Sequence, residues 1–271
     1  MAQKKSRLFP VAFLAAKATL AALKLTNHEG GTLPGFIAEG IDPAFLGDIA
    51  KPEQIVFITG TNGKTTTNNL LNDLLADNGY QTVTNRVGGN ISSGFASSFA
   101  KNATWRGTSK TKLAVMEFDE LSGPRIFPYL QPDILSVTNL FRDTFSRSAT
   151  PDYVFDVMDK GIPASTHLIL NADDMISCRL APQCTHRTYY SIARLAEDTA
   201  EPVGIVSDLT ACPKCGGKLK WDYAHLRHLG HATCEECGYT NPTPDYEVIS
   251  VEPETGKFVV KEHCHEGAPT Y

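Results

Sequence analysis

The sequence predicts an α/β protein: a parallel sheet flanked by helices, with a phosphate-binding loop after its first strand and an inserted four-cysteine module. Three observations predict it. From residue 54 onward, short apolar, β-branched runs alternate with amphipathic stretches. A Gly-Thr-Asn-Gly-Lys-Thr-Thr run at 60–66 separates the first apolar run from the first amphipathic stretch. Residues 210–245 shift to Cys, Gly, Lys and His with few aliphatics and hold two Cys-x-x-Cys pairs.

Residues 1–50 read as an N-terminal helix followed by a loop punctuated by Gly30, Gly31, Pro34 and Gly35, then a short element around Phe45-Leu46. The apolar stretch from Leu8 to Leu25 follows Lys4, Lys5 and Arg7, as in a signal peptide. Lys17 interrupts it, Pro10 sits near its start, and it falls short of the ~20 apolar residues of a membrane span. A packed helix is the plain reading. The sharper one is an interfacial helix leaning on the inner face of a membrane, with Lys17 and Lys24 outward. Residues 51–271 read as one nucleotide-binding domain, with 208–245 inserted into it. Gln54–Thr59, Lys112–Glu117, Asp133–Thr138 and His167–Asn171 carry the apolar pattern of buried strands. A helix over 68–78 places Leu70, Leu71, Leu74 and Leu75 at helical spacing and ends at Gly79. Another, with Tyr153, Val154, Val157 and Met158 inward, fits between the last two strands, and strand–helix–strand order implies right-handed crossovers. The run from Tyr246 to Val260 alternates around Glu254-Thr255-Gly256 and reads as a hairpin.

The 271 residues are 42% apolar and 20% charged, enough to bury a core without covalent staples. A net charge of −5 argues against a general nucleic-acid binder, and no nucleic-acid partner is expected. Seven cysteines, four of them in two close pairs, suit a reducing compartment and metal ligation better than a disulfide framework, so the expected location is cytoplasmic.

Gly60, Thr61, Asn62, Gly63, Lys64, Thr65 and Thr66 form the expected site for the phosphates of ATP. Glycines let backbone N–H groups turn inward around phosphate oxygens, and a helix N-terminus adds partial positive charge. Lys64 would neutralise the β- and γ-phosphates, and Thr65 would offer its hydroxyl to Mg²⁺. The full eight-residue pattern fails because Ile58 stands where its first glycine belongs. A phosphate-loop enzyme also needs carboxylates at strand ends, and Glu117, followed by Phe118-Asp119-Glu120, ends the second buried strand.

Cys212, Cys215, Cys234 and Cys237 follow the spacing C-x₂-C-x₁₈-C-x₂-C, with Gly216 and Gly238 directly after each pair. Four thiolates would close a tetrahedral Zn²⁺ shell, so the metal would be structural. A redox pair or two disulfides are the alternatives. His225, His228 and His231 between the pairs read as surface residues, and Cys178, Cys184 and Cys264 as ordinary thiols. His263 and His265 beside Cys264 read as a polar strand end.

The shortened loop resembles that of the Mur ligase superfamily, ATP-dependent ligases that include the folylpolyglutamate synthetases. With a four-cysteine ribbon in the same domain, the chain is most similar to the isoglutaminyl synthase branch of that superfamily. The likeness extends over Gly31-Thr32-Leu33-Pro34-Gly35, Thr84-Asn85-Arg86 with Asn90, Ile126 to Leu130, Thr138 to Asp143, and Asn171-Ala172-Asp173-Asp174. The resemblance implies a Mur ligase central domain, Glu117 as a Mg²⁺ ligand, and Lys64, Glu117 and Asp143 as the catalytic set. It implies ATP-dependent amidation of the D-glutamate α-carboxylate of lipid II, with ammonia from a class I glutamine amidotransferase (glutaminase) partner. After Asp143 the family pattern breaks: its histidine is absent and Ser146 replaces its second acid. The family also continues into an adenine-contacting part and a C-terminal domain, whereas this chain stops at Tyr271, so it reads as truncated and of uncertain activity alone. Other Mur-type amino-acid ligases and folylpolyglutamate synthetases are alternatives that the ribbon disfavours. An ATP-binding zinc-ribbon module without turnover is a third.

Overall fold

The computed structural model describes residues 5–28, 31–86, 89–141, 151–203, 209–226 and 228–263. Three helices open the chain: α1 (Phe9–Leu25), α2 (Leu33–Ile41) and α3 (Phe45–Asp48). Then follow β1 (Gln54–Thr59), α4 (Lys64–Asp77), β2 (Thr82–Val83), α5 (Ser92–Asn102), β3 (Leu113–Glu117), α6 (Gly123–Ile126), β4 (Ile134–Val137), α7 (Pro151–Asp159) and β5 (His167–Asn171). The chain continues through β6 (Arg187–Ile192), β7 (Leu219–Leu226), β8 (Leu229–Cys234), β9 (Tyr246–Glu252) and β10 (Lys257–Glu262).

Among the described residues eight strands form one sheet in the order β10-β9-β6-β5-β4-β1-β3-β2, and β7 and β8 form a separate antiparallel pair. Every neighbouring pair in the large sheet is parallel except β9 with β10. From β1 the chain goes outward to β2 and back to β3 on one side, then crosses to β4 on the other. The C-terminal end of β1 therefore lies where the strand order reverses, the place where open α/β sheets leave a crevice for ligands.

The expected strands at 54–59 and 167–171 form with those bounds, and the other two shorten by a residue or two at their ends. Four local expectations are corrected. Pro34 and Gly35 do not sit in a loop but in the first turn of α2, where proline's missing N–H costs nothing. A Cβ on Gly35 would stand 2.0 Å from the Ser93 carbonyl, so glycine is what lets α2 lie directly on α5. In α4 the inward face carries Asn68 and Asn72, while Leu70 and Leu74 are 65% and 60% exposed. The Asn72 amide is satisfied there by the Asn68 and Val115 carbonyls and by Thr82, so hydrogen bonding overrides the leucine spacing. Tyr153 lies on the outer side of α7, with Val154 and Met158 inward as expected. Lys17 does not face outward; its Nζ donates to the Ala103 carbonyl at 2.5 Å.

The core joins the opening helices to the sheet. Phe9 stacks on Phe45 at 5.6 Å between ring centres, and Phe57 of β1 meets Phe95 of α5 edge-on at 5.1 Å and Phe118 face-on at 5.6 Å. Phe9, Ala12, Ala16, Phe45, Leu46, Phe57, Phe95 and Phe99 belong to the same buried cluster. Among the described residues, no helix is long and apolar enough to cross a membrane.

Candidate functional site

The loop between β1 and α4 has the conformation that phosphate binding requires. Gly60 and Gly63 adopt φ of +128° and +81°, both unfavourable for any residue with a Cβ. At Gly60 the constraint is also spatial, since a Cβ would lie 2.1 Å from Thr138 Oγ1. The end of β4 grips the loop from the side. Thr61 N–H donates to the Asn139 carbonyl (2.9 Å), Asn62 N–H to Asn139 Oδ1 (3.0 Å), and Thr138 Oγ1 to the Asn62 carbonyl (2.6 Å). Thr61 Oγ1 donates to the Phe141 carbonyl and accepts the Phe141 N–H. The loop is thus held from outside, leaving the first turn of α4 to present its free N–H groups.

The opposite wall is the end of β3. Thr65 Oγ1 donates to Glu117 Oε2 at 2.7 Å, and Asn90 Nδ2 donates to Glu117 Oε1 at 3.3 Å. Asn85 accepts the Glu117 N–H and donates to its carbonyl, each at 2.8 Å, fixing the strand end from which that carboxylate projects. A hydroxyl and a carboxylate side by side at the head of a phosphate loop are the oxygen donors a Mg²⁺ ion takes, so Thr65 and Glu117 fit that ion. Lys64 Nζ donates to the Gly60 carbonyl at 3.0 Å and lies 3.5 Å from Glu120 Oε1, which also accepts the Gly60 N–H at 3.0 Å. Burial pushes the Glu120 carboxyl above its ordinary range, while the nearby Lys64 pulls it back.

Lys64, Thr65 and Glu117 therefore come together as the sequence suggested. Asp143 lies outside the described residues, as do Ser146 and the rest of 142–150. Asn139 and Glu120 are contacts that sequence reasoning did not single out. Asn139 was quoted only inside a longer stretch, and Glu120 looked like one of three acids at a turn.

Asn171 to Asp174 supply position. Asn171 Oδ1 accepts the Asp173 N–H and Asp174 Oδ1 accepts the Ile176 N–H, both two residues ahead, so the segment is built from Asx turns. Asp174 Oδ2 also accepts the Leu140 N–H at 2.6 Å, tying the end of β5 to the segment that holds the loop. Asp174 is fully buried, and burial raises its pKa, opposed by His228.

The hairpin histidines correct a further expectation. His228 is 1% exposed; its ring lies 4.9 Å from that of Phe141 and its Nε2 3.7 Å from Asp174 Oδ1. His225 Nδ1 pairs with Asp198 at 2.9 Å, and its side chain is largely covered. Gly230 N–H donates to the Asp173 carbonyl and Asn241 Nδ2 to the Ala172 carbonyl. One end of the β7–β8 hairpin therefore packs against the β5 end, beside the nucleotide loop.

The other end of the hairpin gathers the four cysteines, whose sulfurs all lie within 4.8 Å of one another. Cys212 and Cys237 are 3.7 Å apart, and Cys215 and Cys234 3.5 Å. Zn–S bonds of about 2.3 Å in a tetrahedron place sulfurs roughly 3.8 Å apart, so the set fits that metal. Backbone N–H groups of Lys214, Gly217 and Cys237 point at the sulfurs of Cys212, Cys215 and Cys234, as knuckles holding thiolates do. Gly216 and Gly238 at φ +78° and +70° make the turns. The Cys237 N–H, foremost among its donors, lowers the pKa of the Cys234 thiol, while the neighbouring sulfurs, Cys237 foremost, raise that of Cys215 against the Gly217 N–H, so the thiols titrate as one cluster.

A glycine-turned loop at the switch point of a parallel sheet, braced by strand-end asparagines, is the arrangement expected of a nucleotide-binding α/β domain. Residues 58–207 match the Mur ligase middle domain, and the chain belongs to that family. Its curated relatives include the lipid II isoglutaminyl synthase (glutamine-hydrolyzing) subunit MurT of Staphylococcus aureus (strain COL), 36% identical over 243 residues, 88% of this chain and 53% of that one. The same subunit of Streptococcus pneumoniae (strain ATCC BAA-255 / R6) is 33% identical over 86% of this chain and 52% of its own length. The chain thus spans about half the length of the curated relatives it matches. Among solved structures, a pseudomurein peptide ligase type C from Methanothermus fervidus superposes with a TM-score of 0.59 at 24% identity, over 83% of this chain and 43% of that one, a likeness of fold.

Proposed function

We propose that the chain is the nucleotide-binding part of an ATP-dependent carbon–nitrogen ligase of peptidoglycan synthesis. The observation that carries this reading is the pairing of Thr65 with Glu117 at 2.7 Å beside Lys64, in a loop rigidly held by Asn139. The reaction is the one the family resemblance implies, amidation of the D-glutamate α-carboxylate of lipid II with glutamine as the nitrogen source, and the relatives' name, lipid II isoglutaminyl synthase (glutamine-hydrolyzing), supports it.

In that reaction a carboxylate oxygen attacks the γ-phosphorus, the bond to the β–γ bridging oxygen breaks, and ADP leaves. Ammonia then attacks the acyl phosphate carbon, the C–N bond forms, and phosphate departs carrying the proton that the nitrogen loses. Lys64 and the N–H groups at the start of α4 would offset the charge that builds on the transferring phosphoryl group. Lys64 would exchange its contact with Glu120 for phosphate oxygens. Glu117 and Thr65 would hold Mg²⁺, which supplies charge neutralisation at those oxygens. Asp143 is proposed as a further acid of this site. Cys212, Cys215, Cys234 and Cys237 would hold a structural Zn²⁺ within an inserted ribbon at 208–245. A glutaminase subunit would deliver the ammonia, and an acceptor anchored in lipid gives the protein reason to work at the inner face of a membrane.

The test is calorimetric titration of Mg-ATP into the chain and its Lys64→Ala variant. Binding weakened at least ~30-fold in the variant, about 2 kcal/mol, is expected. Equal heats from both, or none from the parent, would sink the reading.

A further inference from the structure

The opening helix α1 is apolar on two opposite sides. One side packs on α2, α3 and α5, with Phe9, Ala12 and Ala16 buried. The other carries Val11, Leu14, Ala18, Ala22 and Leu25, spaced three and four residues apart and therefore aligned in one stripe. Among the described residues nothing covers it: Val11, Leu14 and Leu25 are 58%, 60% and 88% exposed. At 1.5 Å per residue the stripe runs for about 20 Å along the helix. None of its side chains can make a hydrogen bond, and an apolar surface of this length left in water marks a contact site.

Cations border the stripe. Lys5 and Arg7 precede the helix, Lys24 stands in its last turn, and Arg106 and Lys110 come from the turn between α5 and β3; all five are exposed. Lys5 Nζ sits over the Phe9 ring at 4.4 Å, and a Cβ on Gly107 would lie 3.9 Å from that Nζ, so the helix start and the turn share one surface. Trp105 joins them, edge-on to Phe13 at 6.1 Å and 71% exposed. Neither 5–28 nor 101–116 contains an aspartate or glutamate, in a chain whose net charge is −5. None of the five cations makes an ion pair among the described residues. Asp48 of α3, which reaches the start of the helix, is engaged by the Ser6 N–H at 2.6 Å.

An apolar helix face with a cationic border and an exposed tryptophan has the composition that settles at the boundary between lipid headgroups and acyl chains. Polar groups within a contact hold a protein partner in register, and this stripe has none; a bilayer needs no register. Charge decides between lipids, because the cations gain far more from anionic headgroups than from zwitterionic ones. We propose that the outer face of α1, together with the Trp105 turn, docks the protein on an anionic lipid bilayer, with the helix lying in the plane of the surface. The proposal deepens the ligase reading, whose acceptor is anchored in lipid, but the binding chemistry rests on these residues alone.

The experiment sediments the full chain with vesicles of phosphatidylglycerol and phosphatidylcholine, and separately with vesicles of phosphatidylcholine alone. Partitioning onto the anionic vesicles is expected to exceed that onto the neutral ones at least ~10-fold and to weaken as salt is raised. Val11→Gln with Leu14→Gln, two exposed positions, should lower it at least ~10-fold. Tryptophan emission should shift to the blue on the anionic vesicles, and Trp105→Phe, which leaves Trp221 in place, should remove the shift. Equal partitioning onto both kinds of vesicle, or partitioning that ignores the glutamine pair, would overturn the proposal. So would a dimer that the glutamine pair dissolves, seen without vesicle binding, which would assign the stripe to a second copy of the chain. Mg-ATP titration keeps the two readings apart, and an unchanged affinity in the glutamine pair shows that its fold is intact. ATP binding by the parent without vesicle binding removes the docking surface alone, whereas vesicle binding without ATP binding removes the ligase reading alone.

Discussion

Asp173 concentrates several of the forces that shape this fold. Its carboxylate is buried, accepts the Ile192 N–H at 2.9 Å and lies 3.9 Å from His225 Nε2. Burial dominates these favourable contacts and lifts its pKa from 3.8 to about 6. A carboxyl raised in the folded state favours the fold while it is neutral. That contribution is complete below about pH 4 and is lost as the pH rises through about 6, a swing of roughly 3 kcal/mol by linkage. Asp173→Asn keeps an acceptor for Ile192 but cannot ionise. Thermal unfolding followed from pH 4 to pH 7 should therefore show a shallower fall in Tm in the variant than in the parent. Parallel Tm profiles would show that Asp173 is not what titrates. The Gly60 position shows the complementary limit. Its positive φ, and the 2.1 Å at which a Cβ would meet Thr138 Oγ1, leave no room for a side chain, which is why the loop's first glycine is readable from sequence.

At the level of elements, the strands of the sheet interior were legible because buried parallel strands are continuous β-branched runs. Glu117 stood out because it ends such a strand, and Lys64 because it begins the helix that follows β1. What was not legible depended on partners far along the chain. The α4 leucines were noted for their helical spacing, but the inward face carries Asn72, matched to Val115 and Thr82, a fit visible only once β3 and β2 are in place. The 92–102 helix carries serines and a glycine that weaken any periodic signal, yet Gly94 packs so closely on Gly89 that a Cβ would meet its carbonyl at 2.1 Å. His228 looked polar and therefore exposed, and only the docking of the hairpin on Asp174 and Phe141 buries it. That docking makes the cysteine hairpin a brace for the β5 end. Replacing the exposed Cys215 and Cys237 with serine, or stripping metal with a strong chelator, should lower stability by at least ~2 kcal/mol in denaturant unfolding. A chain that contains zinc and loses none of its stability on chelation would refute the brace.

Across the whole molecule, the sheet is finished differently at its two ends. Beyond β3 it closes with the two-residue β2, too short to recruit a partner. Among the described residues the sheet ends on its other side with the six-residue β10, whose Phe258, Val259 and Val260 are 63%, 52% and 45% exposed. Such an edge pairs readily with another, so sedimentation should show concentration-dependent self-association that Val259→Lys suppresses. A monomer at every concentration would count against it. The pairing of β6 with β9 carries a further consequence. Parallel neighbours need a crossover, and between β1, β2 and β3, as between β4 and β5, helices provide it. Between Ile192 and Tyr246 the cysteine hairpin occupies that place. With zinc bound, Cys212 and Cys237 would be clamped and about half of this long connection already closed before β9 searches for β6. Cys237 leaves the ribosome before Tyr246, so the last strands of the sheet would be added in an order set by metal capture. Zinc supply during synthesis would then govern how quickly the sheet is completed.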